Sequence, residues 1–432
     1  MMNTVLAMAG KVGRQIKALF EAHGALISFG ASGAFLAFAW GVATAEFGLF
    51  PYRLVRNSAL EVRDFTQYWE NDLGISPTRY VVDSRNRREA IALNPDKVMP
   101  GYRVVAGYFH DRAAVNGAVL LNEKGEELFF WPIDPSLIEE HLGRYTFLHG
   151  FDVLKDGSVV VNFDNGYVLT RFDPCGDVVW TSEGNYHHAV NLHPDGSLWS
   201  LGSPEFPHAA TKIDPETGAV LKSVPIMENL VETASKGVWH IMTTANEFNP
   251  TWLPDPFHSN DVEVLTPDIA DAFPMFEAGD MMISLRSPNL VAVVDGEGET
   301  VKWWQHGPWH RQHDPDFMPN GKISVFDNNM NGEASRIIEI DPLTRETKVA
   351  FEGSEETPFY TWIRGKHQRL PNGNILITEP QAGRVFEVTA GGEVVWEYHN
   401  RYDEAQNLLI NKSIWLPSDF FTVETVRCEA DG

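Results

Sequence analysis

Three histidines of this 432-residue chain share one place in a recurring pattern. His149 stands eight residues before Gly157, His188 eight before Gly196 and His313 eight before Gly321. Each of those glycines follows an Asp or Asn, the chemistry of a hairpin turn, and for an Asn-Gly or Asp-Gly pair type I′ geometry is the expectation. A fourth histidine, His258 in PFHSNDVEVL, regains the spacing once about 13 residues of TPDIADAFPMFEAGD are set aside as an insertion. Asn260 follows two residues later, on the same side of an extended strand, and Arg286 ends the neighbouring strand. His187 adjoins His188, while His306 and His310 precede His313 as mouth-lining residues. His367 is out of phase, with Gly365 at the equivalent place, and reads as a turn or packing residue.

Neutral imidazoles, a carboxamide and a guanidinium suit an anionic, oxygen-rich group that is attacked and transferred. Arginine clamps its oxygens, asparagine and one histidine donate to the charge spread over them, and another neutral histidine attacks. Phosphoryl and sulfuryl groups both fit. With no Gly-rich phosphate loop and no lysine among these residues, the set leans toward sulfuryl, whose monoester carries a single charge. Two other uses compete: polar residues at blade starts tie blades together, and converging histidines bind zinc or copper. Asn260 and Arg286 are poor company for a cation, so neither a metal nor a cofactor is expected. The run DNNMNG at 327–332 opens like a calcium loop, but Ile338 occupies the position of its obligatory glutamate, and it reads as a loop.

Positioning these groups falls to six copies of one unit of about 30–40 residues, a length that signals a propeller or solenoid. FDVLKDGSVVVNFDNGYVLTRFDPCGDVVW and QRLPNGNILITEPQAGRVFEVTAGGEVVWEY are two of them. Each reads as a small antiparallel sheet unable to bury its faces alone, so the fold expected is all-β: a six-bladed β-propeller over 101–400. The strand opening each blade lies innermost, which aims the in-phase histidines at the mouth of the central channel.

The flanks differ in character. Residues 24–45 carry no ionisable side chain and are long enough to span a bilayer, with Lys11, Arg14 and Lys17 ahead of them. The positive-inside tendency gives a cytoplasmic segment 1–23 and an uncleaved transmembrane anchor within 24–50, single-pass in the inner membrane, with the propeller in the periplasm or outside the cell. A cleaved signal peptide is the rival reading. Gly33, Ala37 and Gly41 form a small-residue row through which an envelope protein partner could pack. Residues 51–100 read as a linker that could supply a closing strand, and 401–432 as a C-terminal extension packed on the outside. A net charge of −25 excludes a nucleic-acid partner for the soluble part. The two cysteines, Cys175 and Cys428, can close at most one disulfide, and their pairing is left open.

In NYHHAVNLHPDGS, FHSNDVEV, MMISLRSPNLVAVVD, WWQHGPWHRQHDPDFMPNGKISVFDN and QRLPNGNILITEPQAGRVFEVTAGGEVVWEY the chain resembles the bacterial aryl-sulfate sulfotransferases, six-bladed propellers of the cell envelope. QHD with its following PNG and FDN is the most specific piece. The resemblance implies ping-pong transfer from an aryl sulfate donor to a phenolic acceptor through a sulfohistidine, without a nucleotide donor. Carried over by motif, His313 is the nucleophile, while His258, Asn260 and Arg286 hold the sulfuryl oxygens. His188 or His187 serves as acid or base, His188 by phase, and His149 and His310 line the substrate site. The anchor, the absence of a cysteine pair near the nucleophile and the unfamiliar flanks leave the acceptor open. They also keep a second reading, a non-catalytic propeller serving as a docking or ligand-binding subunit of an envelope complex.

Overall fold

The computed structural model describes residues 23–26, 28–30, 32–43, 80–84, 91–110, 112, 116–138, 146–164, 168–233, 257–423 and 426–428. Lys11, Arg14 and Lys17 and most of 51–100 lie outside them. The chain forms two units, Met1–Arg79 and Tyr80–Gly432. In the first, helix α1 (His23–Ala43) is long and apolar enough to cross a membrane.

The second unit is a six-bladed propeller. Blade two comprises Leu148–Val153, Val159–Phe163, Val168–Phe172 and Val178–Glu183. Blade three comprises His187–Leu192, Leu198–Leu201, Ala209–Ile213 and Val220–Pro225. Blades four and five open with Ser259–Val264 and His313–Phe317, and blade six with Lys366–Arg369. Every neighbouring pair within a blade is antiparallel, and the opening strand of blades two to six lies at one edge of its sheet. Contacts between successive opening strands put that edge innermost: Asn191 Nδ2 reaches Asp261 Oδ1 (3.3 Å) and Asn260 Nδ2 donates to the Gln312 carbonyl (2.8 Å).

Alternation along each strand gives two apolar faces, and neighbouring blades bury them against each other. Val104, Ala118 and Trp131 of blade one meet Phe151, Val161 and Phe172 of blade two. Equivalent clusters fill the other interfaces around the ring. At the first interface the buried Trp131 indole N–H donates to the Gly157 carbonyl (2.7 Å), so the turn glycine of one blade satisfies the largest side chain of the next.

Closure differs from the expectation. The C-terminal extension is not simply packed on the outside: Ile410–Leu416 pairs with Tyr102–Tyr108 and is the innermost strand of blade one. Leu409, Ile410 and Leu416 are buried there. The linker contributes at the periphery instead, with Ile91–Ala92 added to the outer edge of blade six and Val81–Asp83 pairing with Gln406–Leu408. Cys175, in the last turn of blade two, is bonded to Cys428, which fixes the tail beyond the closing strand.

The turns depart from type I′ as well. Gly157 has φ +89°, but Asp156 is not left-handed, and the Gly157 N–H donates to the Leu154 carbonyl (3.0 Å). This is the type I turn followed by a left-handed glycine. Asp156 Oδ1 accepts from the Ser158 N–H (3.0 Å), and Asp195, Asn320 and Asn372 repeat the bond. The side-chain acceptor, rather than a second left-handed residue, holds these turns. The insertion in blade four forms the short helix α3 (Pro267–Ala270), after α2 (Ile226–Thr233), and buries Phe273 and Phe276 against Phe317.

Candidate active site

The inner strands begin together at one end of the channel, and those of blades one to five break their ladders there with a bulge. The bulge turns side chains that would alternate between blade faces toward the axis. His188 (φ +55°), His258 (φ +48°) and Asp314 (φ +51°) occupy left-handed backbone, which costs a non-glycine residue of order 1 kcal/mol or more and collects at functional sites. In blade six Gly365, just ahead of the inner strand, has φ +113°, and a Cβ there would meet the Phe326 ring at 2.4 Å.

This end gathers the histidines. His149 and His188 have ring centroids 3.9 Å apart, and His188 and His258 lie 5.1 Å apart, edge to face. His187 Nδ1 lies 2.8 Å from His188 Nδ1, and His187 Nε2 lies 2.6 Å from the Pro207 carbonyl oxygen. Arg286 extends the group, its N–H donating to the His258 carbonyl (3.0 Å). Asn260, 3% exposed, is fixed by its bond to Gln312, whose own amide donates to Ser284, Leu285 and Leu290.

His313 is 5% exposed. Its Nδ1 lies 2.7 Å from Asn328 Oδ1 and 3.0 Å from the Arg311 carbonyl oxygen. Burial pushes its pKa down to about 3; the bond to Asn328 opposes this, and Arg286, Lys366 and His258 add to it. Burial likewise takes His187 down to about 4 and His188 well below the ordinary range, with the neighbouring histidines contributing. These three imidazoles are therefore neutral at pH 7. His149 Nδ1 faces Asp164 Oδ1 at 2.7 Å, and Asp164 also meets Arg364 (3.2 Å).

Of the residues singled out in the sequence, His149, His187, His188, His258, Asn260, Arg286 and His313 assemble at this end. His310 is exposed, and the bond it makes is through its backbone N–H, to Asp327 Oδ1 (2.8 Å). His306 Nδ1 lies against the Pro288 carbonyl (2.9 Å). His367 is buried and packs between Asp314 Oδ2 (3.0 Å) and Ser324 Oγ (2.8 Å), a packing residue as its phase implied. The eight-residue spacing aligned His188 with His313; the ladders align them otherwise. His187 pairs with Leu201 and His313 with Phe326, each five residues beyond the turn glycine, so His187 matches His313 and His188 matches Asp314.

Several neighbours escaped the sequence reading. Lys366 Nζ bridges Asp261 (3.0 Å) and Asp314 (2.8 Å), and Lys412 Nζ reaches Asp152 (3.3 Å) and the Val190 carbonyl (3.0 Å). The expectation that no lysine stands among these residues thus fails: Lys366 is close enough to help lower the His313 pKa. Its charge is met by two carboxylates, and although burial opposes it, Asp261 and Asp314 hold its ammonium charged. Below this layer a cavity of about 770 Å³ opens at the opposite end of the channel, lined among others by Glu263, Asp316, Lys412 and Trp415. His208 was missed too; its Nδ1 meets Ser259 Oγ (2.8 Å), with its ring 6.3 Å from that of His187. So was Asn328, though the sequence carries a signal for it: Phe-Asp-Asn occurs at 163–165 and again at 326–328.

A family model described as arylsulfotransferase (ASST) matches residues 150–401. No curated protein matches the chain. Among solved structures, a protein of unknown function from Bacteroides caccae is 12% identical at a TM-score of 0.47, covering 69% of this chain and 94% of its own. A virginiamycin B lyase from Staphylococcus aureus is 12% identical at a TM-score of 0.36, covering 59% of this chain and 71% of its own. A functionally unknown protein from Desulfotomaculum acetoxidans is 13% identical at a TM-score of 0.38, covering 74% and 83%. Likenesses this distant carry nothing about activity.

Proposed function

Since the chain belongs to the arylsulfotransferase family, we propose that it moves a sulfuryl group from an aryl sulfate ester to a phenolic acceptor through a sulfohistidine at His313. The observation that carries the reading is a neutral imidazole, 5% exposed, set in one buried group with Asn260 and close enough to Arg286 to feel its charge. A lone pair on His313 attacks sulfur while the S–O bond to the aryl group breaks and the electron pair leaves on the phenolate. In the second half the acceptor phenol gives up its proton, its oxygen attacks the same sulfur, and the S–N bond returns its pair to His313. His258, Asn260 and Arg286 hold the sulfuryl oxygens, and His188 exchanges the phenolic proton. A loose transition state places most of the catalytic burden on such positioning. Fixed donors to developing charge are each worth about 10²–10³-fold.

We read helix α1, long and apolar enough to cross a membrane, as an uncleaved anchor in the inner membrane with the propeller in the periplasm, and the Cys175–Cys428 bond supports an oxidising compartment. The test is incubation of the full-length protein with a nitrophenyl sulfate and phenol. Nitrophenol release that requires phenol and is lost in His313→Ala is expected. Release surviving that substitution removes His313 as nucleophile. Silence with every phenolic acceptor favours the docking-subunit reading instead.

A further inference from the structure

We propose that Asn328 and His187 are positioning residues that lock His313 and His188 as Nδ1–H tautomers, so that the site presents two Nε2 lone pairs, one to attack sulfur and one to exchange the phenolic proton. The division of labour between the two lone pairs rests on the transfer reading above; the tautomers do not.

The argument for His313 is one of donors and acceptors. The Arg311 carbonyl can only accept, and its oxygen is 3.0 Å from His313 Nδ1. The Asn328 side chain could in principle offer either end. Its Nδ2 donates to the Thr361 carbonyl (2.9 Å) and the Arg364 carbonyl (2.6 Å), which uses both amide hydrogens and leaves Oδ1 facing His313 Nδ1 at 2.7 Å. A bare Nδ1 would set three lone pairs against one another. The nitrogen therefore carries the hydrogen, and in a neutral ring the pair is on Nε2.

His188 is set by a relay. Pro207 offers His187 Nε2 a carbonyl oxygen at 2.6 Å, so that nitrogen is the donor. Neutral His187 then has its lone pair on Nδ1, which accepts from His188 Nδ1–H across 2.8 Å. His188 is left with its own pair on Nε2. Both nitrogens of His187 are thereby occupied, which separates two adjacent histidines that their sequence leaves equivalent: His188 exchanges the proton and His187 orients it. His149 shows the same arrangement with another acceptor, its Nδ1 against Asp164 Oδ1.

The test reads the rings directly. Full-length protein with ¹⁵N-labelled histidine is recorded without substrate at pH 7.5, with His313→Gln and His188→Gln used to assign the signals. Protonated Nδ1 and unprotonated Nε2 in both rings are expected, and the reverse pattern in either overturns the lock on that ring. Asn328→Leu leaves the Arg311 carbonyl as the remaining acceptor; mixed tautomers for His313 and a kcat about 10- to 100-fold lower with KM little changed are expected. Asn328→Asp keeps an acceptor oxygen for Nδ1 but gives up the donors to the Thr361 and Arg364 carbonyls, so it should restore the Nδ1–H pattern without being expected to restore kcat in full. An Asn328→Leu protein with an unaltered His313 spectrum and kcat would show that the asparagine only fills space. Correct tautomers without any transfer would refute the transfer reading and leave the locks standing.

Discussion

His313 should make stability depend on pH in a way that a single substitution can isolate. In the folded chain burial keeps the ring neutral down to about pH 3. In the unfolded chain it takes up a proton near pH 6.5. Between those values the unfolded state binds more protons, so stability falls as the solution is acidified. Taking pKa values of about 3 and about 6.5, the loss is a few tenths of a kcal/mol at pH 7 and about 2 kcal/mol at pH 5. His313→Gln removes the titration. It also disturbs the contacts with Asn328 and Arg311, but that cost does not change with pH and cancels on comparing the two conditions. Urea unfolding of wild type and variant, with the disulfide intact, is measured at pH 7 and pH 5. The stability difference between them should move by about 2 kcal/mol in the variant's favour at the lower pH. His187, His188 and the channel carboxylates also titrate, and they act on both proteins alike. A difference that stays constant would mean that His313 is solvated or carries a proton in the folded state, and the neutral-nucleophile argument would fall with it.

Glu263 should show the opposite sign. Burial, with Asp261 and Asp314 adding to it, pushes its carboxyl up to about 8, so the folded chain holds a proton that the unfolded chain loses above about pH 4.3. Thermal midpoints of wild type and Glu263→Gln should match at pH 4, the wild type should fall behind as pH rises to 8, and parallel midpoints throughout would refute the assignment. Replacing Cys175 and Cys428 by serine frees a tail tied across a sequence separation of 253 residues. Chain-entropy arguments put the loss at about 5 kcal/mol as an upper value. Unfolding midpoints with and without the pair measure it, and no change at all would mean that the closing strand holds unaided.

The ring of blades was legible because turn chemistry repeats: Asp156-Gly157, Asp195-Gly196, Asn320-Gly321 and Asn372-Gly373 count out units whichever turn geometry they adopt. The same count located His149, His188, His258 and His313. Register was not legible, since the wider bulge of blade three puts one more residue between the paired histidine and the turn glycine, nine for His187 against eight for His313, and this exchanges the places of His187 and His188 relative to blade five. Nor was the layer below. Lys366, Asp261 and Asp314 come from three blades, and nothing in one strand announces the partners in the others. The closing strand was misplaced for a related reason: Ile410–Leu416 reads as any apolar segment, and its partner Tyr102–Tyr108 stands at the far end of the propeller sequence.

The bond between Cys175 and Cys428 makes one covalent ring of everything between them, blades three to six and the closing strand included. A protease that cuts any surface loop within that ring opens it without releasing a fragment. The nicked chain would migrate whole in denaturing electrophoresis until thiol is added, and an oxidised molecule can lose a peptide bond while all its pieces stay together.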